Sequence, residues 1–197
     1  MELVWYPQRG YGKAEGEEKF LYEKDYWEEF RQKQETPVGK ILTQIRAGLV
    51  KGHLKLRTGL CDFGIGGGAF VEAMDCKGFD INPHANNWLT ERDKQWDREP
   101  IAAMTFWDSM EHMIDPPTFL KKCEQFAFIS TPIYKDAEHC LHSKHLKMPE
   151  HLWYFTEKGL CRFMAEQGFA LIEARRLEEL VGREDIGSYV FQRVCYP

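Results

Sequence analysis

The sequence of 197 residues contains no Cys-x-x-Cys, although six cysteines lie scattered at positions 61, 76, 123, 140, 161 and 195. Such dispersal suits neither a zinc ribbon nor a disulfide framework, so reduced thiols in a cytoplasmic protein are expected. No apolar run approaches the roughly twenty residues that a membrane helix requires. The opening Met-Glu-Leu-Val-Trp-Tyr-Pro has neither a basic start nor an apolar stretch, and no secretory signal is expected. Runs of Lys and Arg are missing too, and the net charge is −5. Binding a duplex by phosphate neutralisation needs clustered cations, so duplex nucleic acid is disfavoured as a partner. Internal repeats and low-complexity tracts are absent. What is present is 43% hydrophobic residues, enough for a core, and 14% aromatics, a surplus that hints at an aromatic-lined pocket.

Residues 1–14 mix glycine and aromatics without periodicity and are expected as an irregular arm. Glu17 to Gln34 reads as a charged helix with an aromatic stripe of Phe20, Tyr22, Tyr26, Trp27 and Phe30. Thr36-Pro37 caps a second helix with an apolar face of Val38, Ile41, Leu42, Ile45 and Leu49, stopped by Gly52. Residues 1–52 thus form an arm and helical cap, and 53–197 the main domain. In the latter, strands are expected at 59–63, 79–81, 101–107, 126–130, 169–176 and 187–195. Helices follow the glycine-rich stretch (to Lys77, closed by Gly78), Asn82-Pro83, Asp115-Pro116 (to about Cys123) and Thr156 (to Gly168). This alternation predicts an α/β fold with a doubly wound, mostly parallel sheet of Rossmann-like type.

Asp62-Phe-Gly64-Ile-Gly66-Gly-Gly68 sits between a predicted strand and a predicted helix. Glycines there permit a tight turn and a close approach of backbone to ligand. The helix beyond offers free N–H groups to an anion. Asp80 closes the next strand, where a carboxylate can accept both hydroxyls of a ribose. Together these indicate an adenosine-containing cofactor. Gly64-x-Gly66-x-x-Ala69 also satisfies the nicotinamide fingerprint. Asp62 argues between the two, because a carboxylate can face an ammonium group but repels a pyrophosphate.

Asp62 with its glycines, and Asp80 within Gly-Phe-Asp-Ile-Asn, resemble motifs I and II of class I S-adenosylmethionine-dependent methyltransferases. Phe106-Trp-Asp-Ser-Met-Glu-His-Met-Ile-Asp-Pro116 is similar to the segment after the fourth strand of that class, and Ser130-Thr-Pro132 to the end of its fifth. His151-Leu-Trp-Tyr-Phe-Thr156 resembles the helix lead-in of the ubiquinone-pathway type, whose small stand-alone forms occur in bacterial and phage genomes. The resemblance spans roughly 59–195. It implies a Rossmann-like sheet with an antiparallel last strand and S-adenosylmethionine as cofactor. It also implies cofactor contacts from Asp62, Gly64, Gly66, Gly68, Asp80, Ile81, Trp107 and Asp108. One departure stands out: between Asp80 and Ile101 there is little room for a third strand and its helix. The acidic residue that usually holds the adenine amino group is therefore unassigned, with Asp93 and Asp97 as candidates.

His112, with an imidazole that titrates near working pH, is the first candidate base, and His151 is the second catalytic candidate. Glu111 reads as a structural hydrogen-bond acceptor. The connection 132–154 carries His139, Cys140, His142, His145 and His151 and reads as a substrate-covering loop. It has no ligand pair at i, i+4 with a carboxylate between, and no cysteine pair, so no metal is expected. Tyr22 and Tyr26, with Tyr134 and Trp153, are expected to border the substrate, and Arg46 or Lys40 to meet the cofactor carboxylate.

The function expected is methyl transfer to O or N of a small molecule by a monomer or homodimer. A nucleotide or nucleic-acid methyltransferase is the first alternative, although Asp115-Pro-Pro-Thr118 lacks the aromatic residue of the amino-methylating DNA enzymes. A nicotinamide oxidoreductase would need a Tyr-x-x-x-Lys pair in a suitable place, and none is found. A non-catalytic cofactor-binding protein is the third alternative.

Overall fold

Two sheets organise the chain in the computed structural model, which describes residues 1–17, 20–55, 59–97 and 101–194. Six strands form the larger: β3 (Leu60–Phe63), β4 (Lys77–Phe79), β5 (Ile101–Trp107), β6 (Cys123–Pro132), β8 (Phe169–Arg175) and β9 (Ile186–Arg193). Their order is β4-β3-β5-β6-β9-β8. The pairs β3/β4, β3/β5 and β5/β6 are parallel, and β9 is antiparallel to both β6 and β8, so β9 alone runs against the others. The central strands β5 and β6 are almost wholly buried, as expected of strands covered on both faces. One layer of core contains Phe63, Phe106, Ile129, Phe155, Phe163 and Tyr189. The other contains Leu60, Phe70, Val71, Leu89, Phe128 and Val190. This is the Rossmann-like architecture with a reversed last strand that the motifs implied.

Helices cover the faces: α1 (Lys24–Glu35), α2 (Pro37–His53), α3 (Ala69–Met74), α4 (Pro83–Glu91), α5 (Pro116–Leu120), α6 (Ala137–Leu141) and α7 (Glu157–Glu166). Three of the four polar caps read from the sequence are in place, whereas Asp115 makes no capping bond to the backbone and instead accepts from the Thr118 hydroxyl. Thr36, Asn82 and Thr156 each accept an N–H in the first turn of the helix they open.

Several expectations need correcting. Residues 1–14 are not an irregular arm: β1 (Glu2–Tyr6) and β2 (Tyr11–Glu15) form an antiparallel hairpin. Tyr11 of β2 pairs with Phe155 of β7 (Trp153–Phe155), which completes a three-stranded sheet. The long connection is therefore not one loop, since it contains α6 and leads into β7. The first helix starts at Lys24 rather than Glu17. Helix α3 ends at Asp75, which adopts φ +51°, so Gly78 lies inside β4 instead of closing the helix. A side chain at Gly78 would meet Ile65 Cγ2 at 2.7 Å, so close packing is what requires the glycine. The helix after Asp115 stops at Leu120, and Cys123 already belongs to β6. On α2, Ala47, Leu49 and Val50 are buried, whereas Val38 and Ile41 are exposed, because the front of this helix borders a cavity instead of the core.

The missing third strand is real in the described residues: β4 has only an isolated bridge, Gly78 to Gln95, on its outer side. Among the described cysteines all are free thiols, and Cys195 lies outside the described residues. No described helix is long and apolar enough to cross a membrane.

Candidate active site

The parallel strands β3, β4 and β5 end at one rim of the sheet, and there a cavity of about 750 Å³ opens under α1 and α2. Ligands in open α/β sheets bind at this carboxyl edge. Gly64 (φ +77°) turns the chain away from β3, and its N–H donates to Phe79 O at 2.8 Å. A Cβ on Gly64 would lie 2.4 Å from Ser109 Cβ, so only glycine fits. Gly64, Ile65 and Gly66 then face the cavity, opposite Asp80, Ile81 and Asn82 at the end of β4.

Asp80 accepts the Asn82 N–H at 2.8 Å. Burial pushes its carboxyl up to about 6, while the N–H groups of Asn82, Ile65, Ile81 and Gly66 pull it back. Asp62 is almost fully buried and accepts a 2.5 Å hydrogen bond from Thr105 Oγ1. Burial raises it to about 7, against the opposing pull of Thr105 and Arg46. The first amide of α3, Ala69 N–H, is occupied by Gln34 Oε1 at 3.0 Å, and Arg31 donates to Gly67 O at 3.3 Å. In a dinucleotide enzyme that helix end would be left open for pyrophosphate. Here a side chain of α1 fills it. A cradle with two carboxyls, whose neighbouring helix amide is already taken by Gln34, fits a cofactor that carries a ribose and an ammonium group but no phosphate.

Beyond β5 the chain carries Asp108 in a left-handed conformation (φ +52°). Its Oδ2 accepts from Arg46 Nη2 at 2.6 Å and from Arg183 Nη1 at 2.8 Å. Glu178 is fully buried and takes Arg46 Nε at 2.9 Å, Ser130 Oγ at 2.6 Å, and Arg183. Burial alone would raise Asp108, but the guanidinium groups of Arg183 and Arg46 hold its carboxyl well below the usual range. Arg46 also stacks over Trp107, 5.3 Å from the ring centroid.

The next turn, Met110–His112, brings together a second polar group. Leu152 N–H donates to Glu111 O at 2.7 Å, which seats His151 beside His112. The two imidazoles meet edge to face, with centroids 4.6 Å apart. Tyr22 O–H lies 3.2 Å from His112 Nδ1. Glu111 is 1% exposed, and neither carboxyl oxygen has a hydrogen bond of good geometry among the described residues, the Thr131 hydroxyl and the Glu111 N–H being the donors at hand. Burial, then the charge of Asp108, holds its carboxyl above the ordinary range. Burial lowers His112, and takes His151 down to about 3.

The cavity thus gathers Tyr22, Tyr26, Asp62, Gly64, Gly66, Asp80, Ile81, Trp107, Asp108 and His112 from the expected set. Others fall elsewhere. Gly68 packs under Trp88, where a Cβ would be 2.7 Å from the ring, so its role is structural. Tyr134 is buried outside the cavity wall, with its O–H donating to His145 O at 3.1 Å. Trp153 donates from Nε1 to Met113 O at 2.8 Å and packs on Phe155 and Phe163. Strand pairing, not a substrate loop, dictates its position. His151 reaches the cavity only through His112. Lys40 pairs with Glu35 at 3.2 Å and does not line the cavity, whereas Arg46 does. Asp93 is fully exposed beside Lys77, and neither it nor Asp97 borders the cavity. Phe119, Ile114 and Asp115 line the cavity instead, and Phe119 packs on Phe79 with ring centroids 5.5 Å apart. Arg183 and Glu178 carry no periodic or motif signal, and only the fold brings them here.

Against known proteins, residues 30–174 match the family model described as "Methyltransferase domain". The chain belongs to this family; it is a methyltransferase of class I, and S-adenosylmethionine is its cofactor. Among solved structures it is similar to a SAM-dependent methyltransferase from Thermotoga maritima (TM-score 0.57, 13% identity, 85% of this chain and 100% of that one). It is also similar to the 1,6-didemethyltoxoflavin-N1-methyltransferase of Burkholderia thailandensis (0.55, 11%, 99% and 100%). A third is the magnesium protoporphyrin IX methyltransferase of Synechocystis (0.50, 12%, 91% and 90%). At these identities the likeness is one of fold. A comparison with curated protein sequences finds no match.

Proposed function

We propose that the chain methylates an oxygen or nitrogen of a small, ring-bearing acceptor. The carrying observation is the second half of the cavity: Tyr22, Tyr26 and Phe30 pack together and line a space continuous with the glycine cradle. Flat aromatic walls suit a ring. The net charge of −5 argues against a nucleic-acid duplex. That Thermotoga, Burkholderia and Synechocystis proteins of the same fold are methyltransferases supports the reading.

In this reading Asp80 receives the ribose hydroxyls, Asp62 faces the ammonium group and Arg46 meets the carboxylate. S-adenosylmethionine, when bound, supplies a methyl on a sulfonium with a good leaving group built in, which leaves positioning and desolvation to the protein. The acceptor's lone pair forms the new bond to the methyl carbon, and the carbon–sulfur electron pair stays with sulfur. An acceptor proton that must leave has His112 nearest, at the junction of the two halves, with Tyr22 fixing its ring.

Calorimetric titration with S-adenosylmethionine, its demethylated product and NADH comes first, followed by transfer of labelled methyl to panels of phenols and heteroaromatic amines. Micromolar binding of the first two alone, and labelling of one acceptor class, is expected. His112→Ala should leave donor affinity intact and slow transfer by about a hundredfold. NADH binding, or an unaltered rate in the variant, would overturn the respective assignment.

A further inference from the structure

Glu111, His112 and His151 each offer one ligand atom, and these atoms all lie within 4.8 Å of one another. They come from two loops, 110–112 and 147–152, that are tied together by the Leu152 to Glu111 backbone bond. We infer that these three side chains form a binding site for a divalent transition-metal ion at the acceptor end of the cavity.

The strongest sign is Glu111. A carboxyl this deeply buried normally finds hydrogen-bond donors, because leaving it bare is costly. Around Glu111 only the Thr131 hydroxyl and its own N–H are at hand among the described residues, neither in good hydrogen-bond geometry, and the carboxyl lies beside two imidazoles. The neighbouring acid is different: Asp108 has its oxygen taken by Arg46 and Arg183 and is not available as a ligand. The set is therefore two imidazoles and one carboxylate. That donor set suits zinc, manganese, iron or cobalt better than magnesium or calcium, which prefer oxygen alone. Bonds of roughly 2.1 Å would need the ligand atoms to draw in slightly, within reach of side-chain rotation. Tyr22 on His112 Nδ1 supplies the outer hydrogen bond that orients a ligating histidine and leaves Nε2 for the metal.

Three protein ligands leave a coordination position open, the pattern of reactive rather than structural sites. His112 borders the cavity, so that position faces the acceptor. The purpose of the site rests on the methyltransferase reading above, and it narrows the acceptor to one with a hydroxyl. A metal held there would lower the pKa of a hydroxyl at the open position, whose proton would leave to water and whose lone pair would form the bond to the methyl carbon as the carbon–sulfur pair departs with sulfur. His112 then acts as a ligand instead of a free base.

The test is titration of the full-length, chelator-stripped protein with cobalt(II), followed by visible absorption and calorimetry. One equivalent should bind with ligand-field bands of a nitrogen–oxygen site, and zinc should displace it. Glu111→Gln and His151→Gln should each weaken binding by at least about tenfold while circular dichroism and S-adenosylmethionine affinity stay unchanged. Absence of saturable cobalt binding, or equal binding in both variants, would overturn the site. Failure of the methyltransferase reading would register separately, as loss of S-adenosylmethionine binding in the unmodified protein.

Discussion

Two buried glutamates sit within a few residues of the same strand ends and live in opposite circumstances. Glu178 is surrounded by Arg46, Arg183 and Ser130, with every contact directed at its oxygens. Glu111 faces two imidazoles, with only the Thr131 hydroxyl and its own N–H close by among the described residues and neither well placed. The first belongs to a charge-balanced group of two arginines and two acids that ties α2 to β5 and β6 and to the turn Leu177–Val181. Its energetics are those of scaffolding. The second is poorly satisfied for so deeply buried an acid, and such a group is better explained by what it does.

The comparison is sharpest at Glu178. Removing one partner of a buried ionic group leaves charges stranded, and Glu178→Ala should cost about 3–5 kcal/mol in denaturant unfolding. A loss near zero would mean that Asp108 alone satisfies both arginines. Glu111 should respond in the other direction. Glu111→Met replaces a poorly satisfied polar group by an apolar one of similar size. Metal-free protein should gain about 1–3 kcal/mol by the same measurement while transfer activity falls. Destabilisation would show that the Thr131 contact outweighs the cost of burying the acid.

Asp62 stands between these extremes, with a single hydrogen bond from Thr105. Its carboxyl is raised from 3.8 to about 7, so it is protonated as the pH falls below 7 and can no longer face an ammonium group. Donor affinity should fall by up to tenfold per pH unit below 7. The unliganded fold should change oppositely. An acid with a raised value gains stability as pH falls through 7, levelling off below its ordinary 3.8. Calorimetry and thermal unfolding between pH 5.5 and 8 check both signs, and a flat donor affinity would remove Asp62 from the ammonium site. The smallest effect is that of Thr105→Val. It should move the Asp62 midpoint upward and weaken donor binding at neutral pH by on the order of 1 kcal/mol. No movement would mean that burial alone sets Asp62.

What was legible in the sequence follows the same division. The cofactor cradle is local: Asp62, Gly64 and Gly66 lie in one turn, and Asp80 closes the very next strand, so spacing alone announces them. Strand–helix alternation likewise conveyed the large sheet, including the space too short for a third strand. The acceptor end joins Tyr22, Glu111, His112 and His151, which no period or spacing connects. Motifs point to His112 and His151 but not to their contact, and in the sequence Glu111 reads as merely structural. The N-terminal hairpin is hard to read from the sequence, because residues 2–6 are mostly apolar on both faces up to the turn Pro7–Gly10. That strand pair is completed only by Trp153–Phe155, far along the chain. Gly68 and Gly78 read as turn residues, yet Trp88 and Ile65 are what forbid a side chain there.

The abbreviated edge of the large sheet has one more implication. A sheet that stops at a short strand usually leaves a row of unpaired amides on which a neighbouring molecule can template itself. Here Gly78 N–H donates to Lys94 O at 2.8 Å, and Trp96 N–H donates to Gly78 O at 2.9 Å. Lys77 and Lys94 place charges alongside, held by Asp93 and Asp75. The stretch that replaced a whole strand and helix thus seals the margin it created, and the protein can dispense with an adenine-side strand without becoming prone to edge-to-edge aggregation.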